Sequence, residues 1–375
     1  MHFLLPFLLF LLQLPSAFPA RTFPQPSILN LNDTISTSIA AAFNSSSTPW
    51  GDFARFANLE KGSHVTGICD LKTYLNRFGY LPAAAPGNFS DDFDSDLESV
   101  ILTYQKNLGL PPTGKLDTDT IDLIMAPRCG LDDSHLRHNT TTITNLHETR
   151  RYAYFNGQPR WTHNPPMTLT YAFSPDHMID YISPEEIKTV FSRAFTRWSE
   201  VIPVNFTETQ SYRTADIRIG FHSGDHGDGE PFDGELGVLA HAFSPENGRL
   251  HLDAAETWAV DFGRQRSNVA IDLESVATHE IGHVLGLAHS SVSDAIMYPS
   301  LRPRSRKVDL RVDDVEGVQA LYGSNPNFNY GSLLESDRET SNSGAGDGGG
   351  YRKGFGFSTW WLWTIVLTLA QLIYF

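Results

Sequence analysis

The chain contains 375 residues, enough for two or three domains at roughly 150 residues per domain. Its composition, 41% hydrophobic and 19% charged, is ordinary for globular proteins and excludes a wholly disordered chain. The 43 acidic and 28 basic residues give a formal net charge of −15. No basic block interrupts this distribution, so we expect no nucleic-acid partner, because binding to a phosphate backbone requires clustered positive charge.

The amino terminus has the layout of a secretory signal peptide. An apolar run at residues 3–14 is followed by small residues up to position 20, and the run is too short to span a bilayer. Cleavage after Ala17 or after Ala20 fits the pattern, and we assign residues 1–20 to the removed signal. Five Asn-X-Ser/Thr sites agree with a secretory route as predicted glycosylation sites. They are Asn32, Asn44, Asn88, Asn139 and Asn205.

The segment 21–151 is predicted to be a propeptide. Helical spacing of apolar residues within about 62–125 predicts a small helical domain. The polar stretch 132–158 lacks periodicity and contains the pair Arg150-Arg151, which predicts a linker open to proteolytic processing.

Residues 152–325 show a mixed pattern of strands and helices. Alternating residues predict strands at 168–173 and 215–221. Between them, the sequence Ser-Pro-Glu-Glu at 183–186 supplies an N-cap, a proline at the first helical position and a glutamate at the third, which predicts the start of an amphipathic helix. A last helix is predicted to begin near Asp313. The composition then turns to Asn, Ser, Gly and Asp, which predicts a flexible stalk at 326–343.

The carboxyl terminus predicts attachment to a membrane. Apolar residues 358–375 end the chain, and small residues followed by a polar spacer precede them, which is the layout of a glycosylphosphatidylinositol (GPI) signal covering 344–375. Ser343 or Gly344 would carry the lipid anchor. A transmembrane helix is the alternative, because about 18 apolar residues can just span a bilayer. Both alternatives predict a protein on the outer face of the plasma membrane.

Most of the 14 histidines lie in the mixed domain, and residues 279–289 contain the pattern H-E-x-x-H-x-x-G-x-x-H. On a helix, His279 and His283 lie one turn apart on the same side and can bind one metal ion. Gly286 can adopt a left-handed conformation that ends the helix and returns the chain, so that His289 supplies a third ligand. Three nitrogen ligands leave one zinc position open to water, as in catalytic sites, and Glu280 is the predicted general base.

With this motif the sequence resembles the matrix metalloproteinases of the metzincin clan, over about residues 62–323. Met297 matches the family's Met-turn, a methionine beneath the metal. The resemblance implies an α+β catalytic domain, with a twisted five-stranded sheet and three helices, behind a helical prodomain similar to a peptidoglycan-binding fold. It also implies a zinc endopeptidase with protein or peptide substrates, and we expect a monomer that cuts extracellular proteins.

The same resemblance assigns the substrate cleft. Leu239 and Ala240 would lie on the edge strand that pairs with an extended substrate. The loop 299–304 would line the main specificity pocket, with Leu301 where relatives commonly have tyrosine.

A second group of metal-binding residue types precedes the first. His226, Asp228, His241 and His251 would fill a tetrahedral zinc with no open position, so this predicted site would brace loops rather than catalyse. The four residues also match the family's structural zinc.

The resemblance further implies a calcium loop of hard oxygen ligands. Its carboxylates would come from Asp233, Asp253 and Glu256, and its backbone carbonyls from Gly234, Leu236 and Val238.

Residues 127–133 resemble the family's cysteine switch, in which a prosegment thiolate takes the fourth zinc position and makes the enzyme latent. Cys129 would be that ligand, and Arg128 with Asp133 would hold the loop as an ion pair. Relatives commonly have proline where this chain has Asp132. The alternative is a Cys69–Cys129 disulfide, because the chain contains only these two cysteines.

The prosegment, the lack of a carboxyl-terminal propeller and the lipid-anchor tail together look most like the plant members of the family. Two other classes of function compete with a peptidase. One is an inert, metal-braced binding module on the cell surface, and the other is a metalloesterase or amidase that uses the same zinc chemistry. An intact Glu280 and an intact latency segment disfavour the inert module.

Overall fold

The computed structural model describes residues 48–82, 89–136, 151–331 and 333. The signal segment, four of the five predicted glycosylation sites (Asn32, Asn44, Asn88 and Asn139), both lipidation candidates and the apolar tail lie outside these residues. The fifth site, Asn205, is exposed. Within the described residues, no helix is long and apolar enough to cross a membrane.

The prosegment forms the predicted helical domain. A short 3-10 helix, Gly51–Phe56, precedes α1 (Ile68–Arg77), α2 (Ser95–Asn107) and α3 (Thr118–Ile124). Asp94 caps α2 by accepting a hydrogen bond from the backbone N–H of Leu97. Such a cap satisfies an N–H that the helix leaves unpaired.

The predicted catalytic region, residues 152–325, contains three helices, as the resemblance implies: α4 (Pro184–Val201), α5 (Leu273–Val284) and α6 (Val312–Tyr322). Helix α4 begins where the sequence predicts. Ser183 and Glu186 form a capping box, and Pro184 occupies the first turn. One face of α4 is buried, and on it the indole N–H of Trp198 donates to the carbonyl of Thr278, 2.9 Å away, which fixes α4 against α5.

The main sheet has six strands: β1 (Arg128–Cys129), β2 (Met167–Phe173), β3 (Val204–Glu208), β4 (Ile217–His222), β5 (Val238–Ala242) and β6 (Arg249–Asp253). Their order is β1-β5-β6-β4-β2-β3. Only the β5–β6 pair among them is antiparallel. Strands β7 (Trp258–Ala259) and β8 (Ile271–Asp272) form a separate parallel pair. The five implied strands are therefore β2–β6, and the prosegment adds the sixth at the edge.

The core of the prodomain continues into the catalytic region. The apolar cluster of the prodomain also contains Val238 of β5, Ala288 and Tyr298. The phenol of Tyr298 donates to the carbonyl of Leu108 across this contact, at 3.1 Å. The two regions therefore share one apolar core at the edge of the sheet.

The predicted linker ends earlier than its polar composition suggests. Tyr152 and Ala153 are buried, and the carbonyl of Ala153 accepts a hydrogen bond from the N–H of Ala288. Tyr154 pairs with Leu287 as an isolated bridge. The extension of the linker to residue 158 is wrong, because these apolar side chains pack on the catalytic region.

Candidate active site

Helix α5 carries the first half of the metal-binding motif. It is buried along its whole length, and Asp272 caps it by accepting from the N–H of Ser275 at 2.8 Å. The helical spacing brings the Nε2 atoms of His279 and His283 to 3.0 Å from each other. After the helix, Gly286 has a φ of +104°, and a Cβ there would lie 2.3 Å from the carbonyl oxygen of Pro159. This turn, possible only for glycine, brings His289 back to the other two rings.

Each of the three rings is oriented through its Nδ1 atom. Nδ1 of His279 lies 2.7 Å from the carbonyl of Ile296, and Nδ1 of His283 lies 2.8 Å from that of Leu287. Nδ1 of His289 lies 2.8 Å from the carboxylate of Asp133. With Nδ1–H donated to these acceptors, each Nε2 keeps a lone pair. Burial lowers the pKa of all three rings, which favours the neutral form that binds metals.

Cys129 completes this group. Its Sγ lies 3.4 Å from Nε2 of His283, and one ligand atom from each of the four residues lies within 4.8 Å of the others. Three imidazole nitrogens and one sulfur form a donor set that zinc prefers. The set therefore fits the zinc that the motif implies. Cys69 and Cys129 are both free thiols, so the disulfide alternative is wrong.

The prosegment reaches this site as strand β1. The N–H of Arg128 donates to the carbonyl of Gly237, and the N–H of Gly130 donates to that of Ala240. On the other side, the N–H of Cys129 donates to the carbonyl of Pro299. The prosegment thus lies between β5 and the loop that begins at Pro299, in an extended conformation.

Arg128 and Asp133 form the predicted ion pair, at 2.8 Å, with both side chains fully buried. Asp133 also accepts from the phenol of Tyr80 at 2.8 Å. Although burial alone would raise it, the pKa of Asp133 is held well below its usual range by Arg128 and His289. The guanidinium of Arg128 lies over the ring of Phe78, 3.8 Å from its centre. The sequence predicts the ion pair but not the bond from Asp133 to His289, which joins positions too far apart to show a local signal.

Glu280 lies beside the histidines and is completely buried under the prosegment. Burial raises the pKa of its carboxyl group to about 8. Admission of water or a neighbouring cation would lower this pKa again. Glu280 therefore lies where the predicted general base should lie. In this structure the prosegment shields its carboxylate from solvent.

Met297 is buried and packs against Gly282 of α5, the residue before His283. The carboxylate of Asp314 accepts hydrogen bonds from the N–H groups of Met297 and Ile296, at 3.0 and 2.9 Å. The sequence does not identify Asp314 as a functional residue. It fixes the turn whose carbonyl orients His279, and its only sequence signal is an acidic residue in the first turn of α6.

A small cleft adjoins Glu280. Leu239 and the residues 299–301 line it, as the resemblance implies. Arg304 lies elsewhere, because its guanidinium donates to the carbonyls of residues 262, 265 and 267. The prediction that the loop 299–304 lines the pocket therefore extends too far at its carboxyl end. Lys307 also lines the cleft, and burial lowers the pKa of its amine to about 8.

The second predicted metal-binding group is also assembled. One carboxylate oxygen of Asp228 lies 2.9 Å from Nε2 of His226, 2.9 Å from Nε2 of His241 and 2.8 Å from Nδ1 of His251. Burial lowers the pKa of His241 and of His251 to about 4. Neutral rings that converge on one carboxylate fit a tetrahedral zinc site with no open position.

The predicted calcium ligands lie in one loop and the turn after β6. The carboxylates of Asp253 and Glu256 accept from the N–H groups of Gly234 and Leu236, at 3.2 and 2.8 Å. Asp233 accepts from the N–H of Val238 at 2.7 Å. Burial and mutual repulsion raise the pKa of Asp253 to about 6 and that of Glu256 well above its usual range. Crowded acidic groups of this kind fit a hard cation that offsets the repulsion.

Comparisons with known proteins agree with this geometry. Residues 160–323 match the matrixin peptidase family, and residues 64–124 match a putative peptidoglycan-binding domain. Metalloendoproteinase 1-MMP of Arabidopsis thaliana is 54% identical over 339 residues, which cover 90% of this chain and 89% of that protein. Metalloendoproteinase 4-MMP of the same plant is 58% identical over 274 residues, 73% of this chain and 78% of that protein. Metalloendoproteinase 1 of Glycine max is 46% identical, over 72% of this chain and 87% of that protein.

The fold and the histidine cluster thus define a zinc-dependent metalloendopeptidase whose substrates are proteins. The chain belongs to the matrix metalloproteinase family. This membership confirms the predicted enzyme class and disfavours the inert binding module and the esterase or amidase.

Proposed function

We propose that this chain is a zymogen whose active form hydrolyses peptide bonds of extracellular proteins with Glu280 as the general base. The observation that carries the proposal is the placement of Glu280 on α5, between two ring-oriented histidines and at the wall of the cleft.

The histidines would hold zinc, which when bound lowers the pKa of water from 15.7 to about 7 and polarises a carbonyl group. Glu280 would accept the proton of the attacking water and pass it to the leaving amine. The carbonyls of Ile296 and Leu287 keep two of the rings in one orientation and tautomer throughout.

Strand β5 would bind the substrate by backbone hydrogen bonds. The prosegment already uses this edge, where the carbonyl of Ala240 accepts from Gly130. An extended peptide can add to the same edge once the prosegment has left, with a side chain in the cleft beside Leu239.

Latency would come from Cys129, whose thiol lies at the three histidines and excludes water from them. The buried pair of Arg128 and Asp133 holds the thiol in place. Cleavage near Arg150-Arg151 would separate this segment from the catalytic region.

The test compares wild type with Glu280→Gln, a variant of nearly the same shape without the base. Both are activated from the full chain and assayed on a quenched fluorescent peptide library, with zinc content measured on the same samples. We expect kcat to fall by about 10²- to 10⁴-fold with zinc content unchanged, as for loss of a general base. The exposed Glu246 supplies the matched control, Glu246→Gln. Equal turnover by wild type and Glu280→Gln would refute the role of the carboxylate.

The proposal includes two zinc ions and calcium. His226, Asp228, His241 and His251 would hold the second zinc, so elemental analysis should give two zinc ions per chain. His241→Ala should remove one of these zinc ions. The variant should still hydrolyse peptides with Glu280 as the base. Two zinc ions in that variant would contradict the assignment.

The proposal also places the mature protein, as a glycosylated monomer, on the outer face of the plasma membrane through a GPI anchor at Ser343 or Gly344. Release from intact cells by phosphatidylinositol-specific phospholipase C is the expected result. Retention after that treatment would favour the transmembrane alternative, and size-exclusion chromatography of the released protein tests the monomer.

A further inference from the structure

Three arginines surround one buried glutamate in the first turn of α5. Both nitrogens Nε and Nη2 of Arg193 contact Glu274, at 3.0 and 2.6 Å. Nη1 of Arg197 lies 2.6 Å from the same carboxylate, and Nη2 of Arg306 lies 2.9 Å from it. We call Arg193, Arg197 and Arg306 the arginine cluster.

The arginine cluster carries more positive charge than Glu274 requires. The side chain of Glu274 is 2% exposed, and one guanidinium would compensate its charge. The side chains of Arg193 and Arg306 are 45% and 53% exposed, so both keep a face toward solvent. Three guanidinium groups contain nine nitrogen atoms, and the contacts with Glu274 engage four of them. Nε of Arg306 also lies 3.9 Å from the buried carboxylate of Asp272. The three guanidinium groups therefore exceed the two carboxylates by one positive charge, on a chain with a net charge of −15.

The arginine cluster adjoins the cleft. Ser275, which follows Glu274, and Lys307, which follows Arg306, both line the cleft. The hydroxyl of Ser275 accepts a hydrogen bond from the N–H of Lys307 at 2.8 Å, so the two segments are tied together. On both segments, therefore, the residue next in the chain to a member of the charged group, Ser275 or Lys307, lines the cleft.

We propose that the arginine cluster is an exosite that binds an acidic segment of the substrate protein while a neighbouring residue of that substrate occupies the cleft. Guanidinium groups bind carboxylates in a bidentate manner, and their exposed faces remain available for this. A charged surface next to a cleft mainly raises the rate of association and selects among partners. The inference concerns binding, so it can be tested without turnover.

The kinetic test uses peptides with one common cleavable core. One set carries a run of Asp and Glu at the carboxyl or the amino end, and the matched set carries Asn and Gln instead. With the activated full-length enzyme, we expect the acidic extension at one end to raise kcat/KM about fivefold at about 0.01 M salt. The preference should disappear at about 1 M salt, where the Debye length falls from about 30 to about 3 Å.

The variants Arg193→Gln and Arg306→Gln, alone and together, should lose this preference and keep the wild-type rate on the neutral peptide. Arg213→Gln, in an exposed loop before β4, is the matched control and should keep the preference. The thermal unfolding midpoint of each variant checks that the remaining arginines still balance the charge of the buried Glu274 and that the fold stays stable. An acidic preference that is equal in the double variant and in Arg213→Gln, or that does not change with salt, would overturn the proposal.

The second readout is binding to the uncleaved zymogen, in which the cluster is exposed. Fluorescence anisotropy of a labelled acidic peptide should show binding to the wild-type chain and no binding to the double variant. This result does not depend on whether Glu280 is the general base. Binding of an acidic polysaccharide that depends on Arg193 and Arg306, without binding of the acidic peptide, would assign the surface to another partner and overturn the proposal.

Discussion

Replacement of Asp133 by Asn should open the zymogen. Arg128 is fully buried beside Asp133 in the latent state, and it would be solvated once the prosegment detaches. Removal of one partner from a buried ion pair costs about 3–5 kcal/mol, because the other charge stays buried without compensation. The cost applies only to the latent state, so the open fraction should rise by about 150- to 5,000-fold at 1.36 kcal/mol per factor of ten.

The assay is the rate at which an alkylating reagent modifies Cys129. It is measured in a Cys69→Ser background, so that only one thiol reacts, and at reagent concentrations where the rate reports the open fraction. The matched control is Glu98→Gln, which removes an exposed ion pair with Lys61 in the same prodomain. Such exposed pairs contribute about 0–1 kcal/mol, so the control should react nearly as slowly as the parent. An Asp133→Asn variant that reacts no faster than Glu98→Gln would refute the reasoning.

Three further predictions concern the strand, the cleft and the calcium loop. In Gly130→Ala the new Cβ would lie 2.7 Å from Cγ1 of Val238, so the latent state should lose about 1–3 kcal/mol and Cys129 should react faster in the same assay. Burial lowers the pKa of Lys307 to about 8 from 10.5; its charged form therefore destabilises the folded state below pH 8. Lys307→Met should raise the free energy of unfolding by about 3 kcal/mol at pH 7, at 1.36 kcal/mol per unit of pKa shift, measured in urea, with the difference closing as the pH rises from about 8 to 10.5; a difference independent of pH would contradict this. Calcium should raise the midpoint of thermal unfolding, by an amount equivalent to about 2.7 kcal/mol at a hundred times its Kd, and Glu256→Gln should abolish that shift; a calcium shift kept by this variant would contradict the assignment.

The elements that local sequence determines were predictable. The start of α4 follows from Ser183, Pro184 and Glu186, because a capping box and an early proline act within one turn. The pairing of His279 with His283 follows from the helical period alone. The left-handed turn at Gly286 also follows, because glycine readily adopts a positive φ and stands directly after the end of α5.

The contacts that orient the site were not predictable from one sequence. The bond from Asp133 to His289 joins residues of the prosegment and the catalytic region, and its existence depends on how β1 docks on β5. The contacts of Arg193 and Arg306 with Glu274 depend equally on the packing of separate segments. Periodicity and motif spacing carry no information about such pairs, whose geometry is set by tertiary packing.

The shared core of the two regions has a consequence for the activated protein. Val238 and Tyr298 line or adjoin the cleft, yet in the zymogen they belong to the apolar core of the prodomain. In the folded chain, the prodomain therefore covers this apolar wall. Under the proposed activation, removal of the prosegment would uncover this wall together with Glu280, so the activated protein should expose an apolar surface that the uncleaved chain covers.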